Sequence, residues 1–471
     1  MNTLISGNIY IQDPTPTVLE WVEDNLTFKN PLYKTLMKQG KSALIRKSHI
    51  PEEIASYKVR NGCLILPYGC LRGLSDEIRF HGFTTDLAPI HRTKFFGMPI
   101  NPKIAEAQRA DKQYQPIAED AMVAAKGGVL DASCGSGKTI MGIEIIRKLG
   151  MRFLWLCGKK DLLEQTRQRF LDFYPDLEIG TITDGKVDMG ADGTIATVQT
   201  MINIEKEIYE NEFNVVVVDE CHAVTSNPTV RHMYSTVLGR LKAAYKFGLT
   251  ATPFRADGLS GMIFANIGLS MNGKFRPTHS IPPSKVDTMK AEYRRIEMPT
   301  PASYDYLEAD GSINYPFLID YISKSRQRNE RITNLVHDLV ESGRKVSVLC
   351  LRVEHCDILA DMMKSRGINA HSVTGKSSKK ERDLTLRMPD NWDVLISTVQ
   401  LFKEGIDIKE LDTVVMAVPI KDKVGIIQSK GRAERKMEGK KQPLFIYCED
   451  SNIPYCVNAG TKIRRLVEKR K

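Results

Sequence analysis

Apolar runs, glycine-rich turns and helical patterns alternate along most of the chain. Residues 213–218 are apolar apart from Asn214, and such a run predicts a strand that is buried on both faces of a parallel sheet. Residues 128–132 predict a second short strand, and residues 140–149 after it have helical spacing. Strands that alternate with helices indicate an α/β fold.

A glycine-rich turn joins the second of these strands to its helix. Its glycines let backbone N–H groups turn inward around phosphate oxygens, and the positive end of the helix faces the same point. We expect Lys138 to reach the β- and γ-phosphates of a nucleotide, and the Thr139 hydroxyl to bind Mg²⁺. The residues of this predicted phosphate loop are Ser133, Gly135, Ser136, Gly137, Lys138 and Thr139.

Two carboxylates, Asp219 and Glu220, follow the buried apolar run. A carboxylate at the end of such a strand lies at the carboxyl edge of a parallel sheet, beside the phosphate loop. We expect Asp219 and Glu220 to form the metal site with Thr139. Glu220 is also expected to orient and deprotonate the attacking water. His222 stands at the position of a coupling residue, although a structural histidine fits the same pattern.

The tetrad Asp219-Glu220-Cys221-His222 resembles the DEAD/DEAH-type box of superfamily two helicases, and the other motifs of that family follow in order over about residues 108–450. The resemblance implies two tandem RecA-like parallel-sheet motor domains, preceded by a small α+β N-terminal DNA-binding domain. It also implies ATP as the substrate, with Mg²⁺. The matching segments are Gln115 and residues 132–139, 154–165, 197–200, 219–222, 248–253, 346–351, 397–407 and 428–435.

The same resemblance assigns roles to residues far from the phosphate loop. Gln115 would read adenine, and Gly405 and Asp407 would contact the ribose and the coupling network. Arg432 and Arg435 are three residues apart, so on a helix they share one face. Guanidinium groups suit the charge of a phosphoryl-transfer transition state, so Arg435 is the predicted arginine finger and Arg432 its partner. A solvated basic helix face is the alternative.

Residues 250–255, which read TATPFR, separate the subfamilies. RNA helicases of the DEAD-box type usually carry Ser-Ala-Thr there. Residues 250–255 are instead similar to DNA translocases such as RecG, UvsW and restriction-enzyme motors. Residues 352–356 and 373–376 are similar to phage UvsW-type and XPB-like sequences. This implies contacts with the phosphates of one tracking strand, which carry no sequence information. The predicted nucleic-acid-binding residues are Lys160, Thr197, Thr200, Arg352, Thr374 and Thr398.

Length and charge agree with a nucleic-acid motor of about three domains. We place the N-terminal DNA-recognition domain at 1–103, the ATP-binding RecA-like domain at 104–285 and the second RecA-like domain at 286–471. The chain of 471 residues has a net charge of +10, which favours polyanionic partners. Residues 421–471 hold 14 Lys and Arg against 6 Asp and Glu, and a basic helix is predicted at 462–471.

The N-terminal segment has its own pattern of elements. Residues 18–26 predict an amphipathic helix, residues 63–67 a strand, and the prolines at 89, 99 and 102 a linker.

Cysteine usage and hydropathy point to an intracellular protein, in the host cytoplasm if a phage encodes it. The nine cysteines are scattered without a Cys-x-x-Cys pair, which is typical of small buried residues in a reducing compartment. No apolar run has transmembrane length and no signal peptide pattern opens the sequence, so no membrane partner is expected. We expect a monomer.

These observations predict an ATP-dependent DNA helicase or translocase. It would unwind or branch-migrate forked and junction DNA, 3′ to 5′ by the resemblance to UvsW-type motors, in replication, recombination or repair. Three alternatives stay open: an RNA helicase, an ATP-dependent nucleic-acid-binding switch that does not unwind, and the motor subunit of a restriction complex.

Overall fold

The chain forms two compact units, Met1–Lys285 and Val286–Lys471. The computed structural model describes residues 1–133, 135–225, 233–255, 257–301, 303–405 and 408–468, with the backbone only at residues 379, 383 and 403–405. Each unit contains one large parallel sheet with helices packed against it.

The first unit begins with a smaller sheet and four helices. They are α1 (Pro16–Leu26), α2 (Pro31–Lys38), α3 (Ser42–Lys47), α4 (Ser75–His81), β1 (Asn2–Ile5), β2 (Asn8–Gln12), β3 (Thr27–Lys29), β4 (Glu53–Ala55), β5 (Lys58–Arg60), β6 (Cys63–Pro67) and β7 (Thr84–Thr85). In this fully described segment the strands form a sheet in the order β5-β6-β2-β1-β7, the N-terminal sheet, and β3 pairs with β4 alone.

Alternating apolar residues build the N-terminal sheet and its core. Ile9 and Ile11 of β2 point inward, as do Leu64 and Leu66 of the paired strand β6, and all four are buried. Helix α1 covers this face with one apolar stripe. The predicted helix over residues 18–26 and the predicted strand over residues 63–67 are confirmed.

The rest of the first unit is built around the first parallel sheet. Its elements are α5 (Pro102–Ala110), α6 (Tyr114–Ala125), α7 (Lys138–Leu149), α8 (Lys160–Phe173), α9 (Val198–Met201), α10 (Met233–Arg240), α11 (Gly261–Ile267), β8 (Gly127–Ala132), β9 (Phe153–Cys157), β10 (Ile179–Thr183), β11 (Lys186–Val187), β12 (Gly193–Thr197), β13 (Val215–Asp219), β14 (Tyr245–Thr250) and β15 (His279–Ile281). Over the described ranges the strand order is β11-β10-β12-β9-β13-β14-β8-β15, and only the β10–β11 pair is antiparallel.

The central strands of the first parallel sheet are apolar throughout because both faces are covered. All residues of β9 are buried, as are the four valines of β13. The strand predicted at residues 213–218 therefore exists, but it starts at Val215. Phe213 and Asn214 precede it as buried residues of the connecting loop.

A buried lysine joins the first parallel sheet to the N-terminal sheet. Lys246 lies inside β14 and is 1% exposed. Its ammonium donates hydrogen bonds to the carbonyl oxygens of Gly7 and Leu238, each at 2.9 Å, and lies 4.3 Å from the centre of the Tyr68 ring. Burial lowers the pKa of Lys246 to about 7. The bonds offset the cost of burying this amine.

The segment predicted as a linker, residues 86–101, lies against the first parallel sheet. Its backbone N–H groups at Ala88 and His91 donate to the Lys242 carbonyl and the Asn214 side chain, at 2.9 and 2.8 Å. Lys94 N–H donates to the Asp192 carboxylate at 2.8 Å. The segment lacks helix and is docked by specific bonds along its length.

The second unit repeats the layered arrangement around a second parallel sheet. Its elements are α12 (Tyr315–Lys324), α13 (Arg326–Glu341), α14 (Val353–Lys364), α15 (Lys379–Arg387), α16 (Val399–Gly405), α17 (Lys423–Ala433), α18 (Pro454–Glu468), β16 (Glu292–Glu297), β17 (Val346–Cys350), β18 (Ala370–Val373), β19 (Val394–Thr398), β20 (Thr413–Met416) and β21 (Leu444–Glu449). In the described part of this unit the strands run parallel in the order β16-β21-β20-β17-β19-β18.

Two expectations for the second unit are corrected. Arg435 is not on the helix of Arg432, because α17 ends at Ala433 and the chain turns at Glu434. The basic C-terminal helix is longer than predicted, since α18 begins at Pro454 and its inward face is apolar. Residues 469–471 lie outside the described residues. Within the described ranges no helix has both the length and the apolar character that a bilayer crossing requires.

A fully buried ion pair lies in the core of the second unit. The Arg328 guanidinium donates to both carboxylate oxygens of Asp450, at 2.9 and 3.2 Å, and to the Ala417 carbonyl at 2.7 Å. Both side chains of the pair are 0% exposed. Loss of one partner would leave a charge without compensation in the protein interior.

We therefore expect Asp450→Asn to destabilise the second unit by about 3–5 kcal/mol. Glu292→Gln is the matched control, because it breaks the half-exposed pair with Arg294 and should cost less than about 1 kcal/mol. Urea unfolding followed by fluorescence measures both. Equal midpoints for the two variants would contradict a structural role of the buried pair.

Candidate nucleotide-binding site

The predicted phosphate loop lies between β8 and α7, at the carboxyl end of its strand. Gly135 and Gly137 have φ angles of 81° and 82°, which L side chains rarely adopt. The Lys138 ammonium donates to the carbonyl oxygen of Ala132 at 3.2 Å. Thr139 lies in the first turn of α7. The positive φ angles of the two glycines suit a turn whose backbone N–H groups face a phosphate.

Two buried hydroxyl oxygens in this loop are available to a ligand. Over the described residues, Ser133 Oγ and Ser136 Oγ are buried and have no hydrogen-bond partner. A buried polar atom without a partner costs free energy, and a phosphate oxygen would relieve this cost. The pair supports the prediction that Ser133 and Ser136 belong to the nucleotide site.

Gln115 contacts the loop directly. It lies on α6, is 1% exposed, and its Nε2 donates to the carbonyl oxygen of Ser136 at 2.7 Å. The hydroxyl of Tyr114 donates to the same oxygen at 3.2 Å. A Cβ at position 137 would collide with the Gln115 amide, so Gly137 is also required for this contact. Tyr114 was not among the predicted site residues; its only signal is its place beside Gln115.

The far end of α6 is held by an arginine of the N-terminal segment. Arg72 donates to the carbonyl oxygens of Ala125 and Gly127, which end α6 and begin β8, and to that of Leu269. A cation at a helix C-terminus also interacts favourably with the helix dipole. Arg72 therefore fixes the junction of the two elements that carry Gln115 and the phosphate loop. No local sequence pattern indicates this role.

Asp219 and Glu220 lie at the carboxyl end of β13, beside the phosphate loop. Burial, and then the neighbouring Glu220 carboxylate, raise the pKa of Asp219 to about 6, while Lys138 lowers it. Glu220 has a φ angle of 46°, a left-handed conformation that is uncommon for a non-glycine residue. Such backbone geometry is concentrated at functional sites. The predicted proximity of the acids and Lys138 is present.

These residues fit a Mg²⁺ ion. Mg²⁺ prefers oxygen ligands, usually one or two carboxylates together with substrate phosphates and water. The Thr139 hydroxyl and the carboxylates of Asp219 and Glu220 are oxygen donors of this kind. Burial, and then the Glu220 carboxylate, raise the pKa of Asp219, and a cation bound beside the two carboxylates would favour their charged forms. Within the described ranges no group of three or more His, Cys, Asp and Glu residues could hold a metal.

Close polar contacts connect the acid pair to residues 250–255. His222 Nδ1 lies 3.2 Å from Glu220 Oε2 and 3.3 Å from Thr250 Oγ1. Thr250 Oγ1 also accepts from the Thr252 N–H at 3.0 Å. Arg255 then donates back to the His222 carbonyl at 3.1 Å. His222 therefore lies between the acid pair and residues 250–255, and Arg255 is a member of this network that was not predicted.

The candidate residues of the second unit are only partly described. Gly405 ends α16, and Asp407 lies outside the described residues. The Arg432 guanidinium lies 5.7 Å from the centre of the Phe402 ring. Arg435 follows the end of α17, and its carbonyl accepts from the Lys440 ammonium at 2.8 Å.

Three predicted nucleic-acid contacts lie at the carboxyl edge of the first parallel sheet. Thr197 ends β12 and is buried, and its hydroxyl donates to Thr200 Oγ1 at 3.0 Å. Lys160 begins α8, where its ammonium forms an exposed ion pair with Asp184. The Gln199 amide donates to the Gly158 carbonyl at 2.7 Å, which ties the two loops together. Thr200 and Lys160 are the more accessible members, whereas burial of Thr197 favours a supporting role.

The other three predicted contacts follow neighbouring strands of the second parallel sheet. Arg352 follows β17, Thr398 ends β19 and Thr374 follows β18. Arg352 forms a half-exposed ion pair with Asp320 at 2.8 Å. Thr374 is 3% exposed and Thr398 Oγ1 accepts from a backbone N–H of α16 at 3.4 Å. These residues share one edge, as expected for parallel strands.

Family comparisons match one segment in each unit. Residues 106–255 match the family described as "Type III restriction enzyme, res subunit", and residues 327–437 match "Helicase conserved C-terminal domain". The first match contains the phosphate loop and the acid pair, and the second contains the two arginines.

The chain belongs to the superfamily two helicases. The expected family and the two tandem RecA-like domains are thereby confirmed. Membership supports an ATP-hydrolysing helicase enzyme.

Three relatives of this helicase carry functional names. A protein of Acanthamoeba polyphaga mimivirus, named for an ATP-dependent RNA helicase, is 25% identical over 68% of this chain and 59% of its own length. The ATP-dependent DNA helicase uvsW of Enterobacteria phage T4 is 24% identical over 55% of this chain and 50% of its own length. The DNA 3'-5' translocase XPB2 of Sulfurisphaera tokodaii is 23% identical over 71% of this chain and 80% of its own length. The chain thus spans less than two thirds of the length of the first two of these relatives.

Solved helicases have the same fold. The helicase domain of Pyrococcus furiosus Hef superposes with a TM-score of 0.51 at 16% identity, over 77% of this chain and all of that chain. Saccharomyces cerevisiae Dbp5, solved with RNA and ADP BeF3, superposes with a TM-score of 0.57 at 14% identity, over 79% of this chain and 93% of that chain.

Substitutions of Glu220 and Lys138 test whether the two residues have different roles in hydrolysis and in nucleotide binding. We expect Glu220→Gln to bind a fluorescent ATP analogue like the parent, while phosphate release falls by about 10²–10⁴-fold, because only the candidate base is removed. Lys138→Ala is expected to lose both tight binding and hydrolysis. Parent-like turnover by Glu220→Gln would refute the assignment of Glu220 as the base.

Proposed function

We propose that this helicase is an ATP-driven DNA motor that unwinds or branch-migrates forked and junction DNA. One observation carries the proposal: Arg255, in the segment that resembles DNA translocases, donates to the backbone of His222 at 3.1 Å. His222 in turn lies beside Glu220 and Thr250. A network of this kind can transmit the state of the nucleotide to the surrounding segments.

The proposed chemistry assigns one task to each group. The loop N–H groups and Lys138 bind the triphosphate, and Gln115 reads the adenine. Thr139, Asp219 and Glu220 hold Mg²⁺, which when bound neutralises phosphate charge. Glu220 orients and deprotonates the attacking water, and the Arg432–Arg435 pair stabilises the transition-state charge. Gly405 and Asp407 contact the ribose and the coupling network.

The proposed track is one strand of DNA, contacted by Lys160, Thr200, Arg352, Thr374 and Thr398, with Thr197 supporting Thr200. Contacts of this kind are independent of sequence, which suits movement over any DNA. The name of the XPB2 relative supports 3′ to 5′ polarity, and the uvsW name supports DNA as the substrate. We propose an intracellular, monomeric enzyme.

An RNA helicase is the second candidate, because the mimivirus relative is named for that activity. A motor subunit of a restriction complex is the third, because residues 106–255 match a restriction-enzyme family. The two differ in their nucleic acid and in their need for a partner protein.

ATPase measurements with different effectors separate these candidates. We expect forked and four-way-junction DNA to raise the rate at least about tenfold more than RNA of equal length, because the motif at residues 250–255 is of the DNA-motor type. Lys138→Ala is the background control. Preferential stimulation by RNA would overturn the assignment to DNA, and dependence on an added specificity subunit would favour a restriction motor.

Arg435 is expected to act on turnover and not on binding. Arg435→Ala should keep its ATP affinity and lose about 10³-fold or more in turnover, as for an arginine finger. Lys436→Ala is the matched control, since this neighbour is 63% exposed and pairs with Asp287. If Arg435→Ala turns over at the rate of this control, the finger is another residue, with Arg432 the next candidate.

A further inference from the structure

The positive charge of the N-terminal segment is concentrated in one short stretch. Residues 29–47 contain six basic residues and no Asp or Glu, whereas the rest of residues 1–103 holds 7 Lys and Arg against 9 Asp and Glu. The small excess of basic over acidic residues in residues 1–103 therefore conceals one strongly basic stretch in a segment that is otherwise slightly acidic. The six residues are Lys29, Lys34, Lys38, Lys41, Arg46 and Lys47.

This stretch folds as a helical hairpin, which we call the basic hairpin (residues 30–52). Helices α2 and α3 are joined by a three-residue turn in which Gly40 has a φ angle of 69°. Asn30, 1% exposed, closes the base: its side chain caps α2 and donates to the Pro51 carbonyl at 2.8 Å, and its N–H donates to the Glu52 carbonyl at 2.8 Å. The hairpin is therefore a defined element and not a loose loop.

Most of the basic hairpin faces solvent. In its helices, which are described throughout, only Leu36 and Ile45 are buried. The five Lys and Arg side chains of the hairpin, and Lys29 before it, are exposed, and none forms an ion pair with a described residue. Lys34 and Lys38 are four residues apart on α2, where like charges destabilise a helix by about 0.2–0.5 kcal/mol. A polyanion bound here would relieve that repulsion.

The base of the hairpin is fixed to the first RecA-like domain. Phe28 and Ile54, on the two strands that lead into and out of the hairpin, pack against Leu259 and Met262. Met262 lies on α11, which follows residues 250–255. The hairpin therefore has a fixed position beside residues 250–255, the segment that contacts the tetrad Asp219-Glu220-Cys221-His222.

We propose that the basic hairpin binds the phosphate backbone of duplex DNA. Proteins that hold single strands stack bases on aromatic side chains, whereas residues 30–52 contain one Phe, Tyr or Trp residue, Tyr33. Cationic side chains without stacking partners suit a regular array of duplex phosphates. The inference rests on the proposed DNA-directed function and adds a surface that grips the duplex.

The test compares two triple variants of the full-length protein that remove the same charge. The first is Lys34→Gln, Lys38→Gln and Lys41→Gln on the hairpin. The control is Lys58→Gln, Arg60→Gln and Arg79→Gln, which are exposed in the same N-terminal segment but outside it. All six substituted side chains are exposed, so both variants should fold, which circular dichroism verifies.

Fluorescence anisotropy with a labelled duplex, without nucleotide and at several salt concentrations, gives the deciding quantity. Each lost phosphate contact lowers the slope of log K against log salt by about 0.9, so the hairpin variant should lose about 2–3 in slope and bind at least about tenfold more weakly at low salt. The control variant should match the parent. Equal slopes for the parent and the hairpin variant would overturn the proposal and favour an acidic protein surface as the partner.

A second readout separates this proposal from the proposed function. ATPase activity stimulated by single-stranded DNA should be unchanged in the hairpin variant, because the nucleotide site and the tracking residues are intact. If single-stranded DNA stimulates the parent but the hairpin variant binds duplex normally, only the hairpin assignment fails. If the parent neither binds duplex nor responds to any DNA, both proposals fail.

Discussion

The parallel register of β9, β13, β14 and β8 decides where the nucleotide-binding groups lie. Because these strands run in one direction, their carboxyl ends meet at one edge. That edge receives the phosphate loop after β8, the acid pair after β13 and Thr250 at the end of β14. The His222 bridge can form only because Asp219 and Leu249 are paired in register, which places Thr250 one residue beyond the acid.

The N-terminal segment is part of this framework as well as an appendage to it. Lys246 would be a costly residue in a buried strand, and its amine is satisfied partly by Gly7 and Tyr68 from the N-terminal sheet. Arg72 holds the junction between α6 and β8. Removal of residues 1–103 would therefore expose the buried amine of Lys246 and remove the contacts that Arg72 makes at the end of α6, the helix that carries Gln115. Point variants on the surface of the segment are the cleaner way to examine its role.

Much of this architecture could be predicted from the sequence because it depends on local patterns. The apolar run before Asp219 predicts a buried strand, and glycines before a helix predict a phosphate loop. The parallel-sheet rule then brings the two together. Contacts between distant residues have no such pattern: the role of Arg72 and the partners of Lys246 depend on packing of the N-terminal sheet. The end of α17 before Arg435 was missed because the spacing of the two arginines is equally compatible with a continued helix.

The charge of the N-terminal segment shows a different limit. A count over about a hundred residues gives a small positive excess, which hides a stretch, residues 29–47, with six basic residues and no acid. Averaging over a whole domain removes the information that a binding surface carries, because binding depends on local charge density. The helix pattern of residues 31–47 was also too short and too polar to stand out as two helices.

In the proposed function, ATP hydrolysis at this site is coupled to movement along DNA. Displacement of a labelled third strand from a DNA triplex tests it most directly, because a protein that only binds or only hydrolyses cannot remove that strand. The account predicts ATP-dependent displacement by the parent protein and none by Glu220→Gln. A parent protein that hydrolyses ATP in response to DNA but leaves the triplex intact would contradict the claim and identify a binding switch.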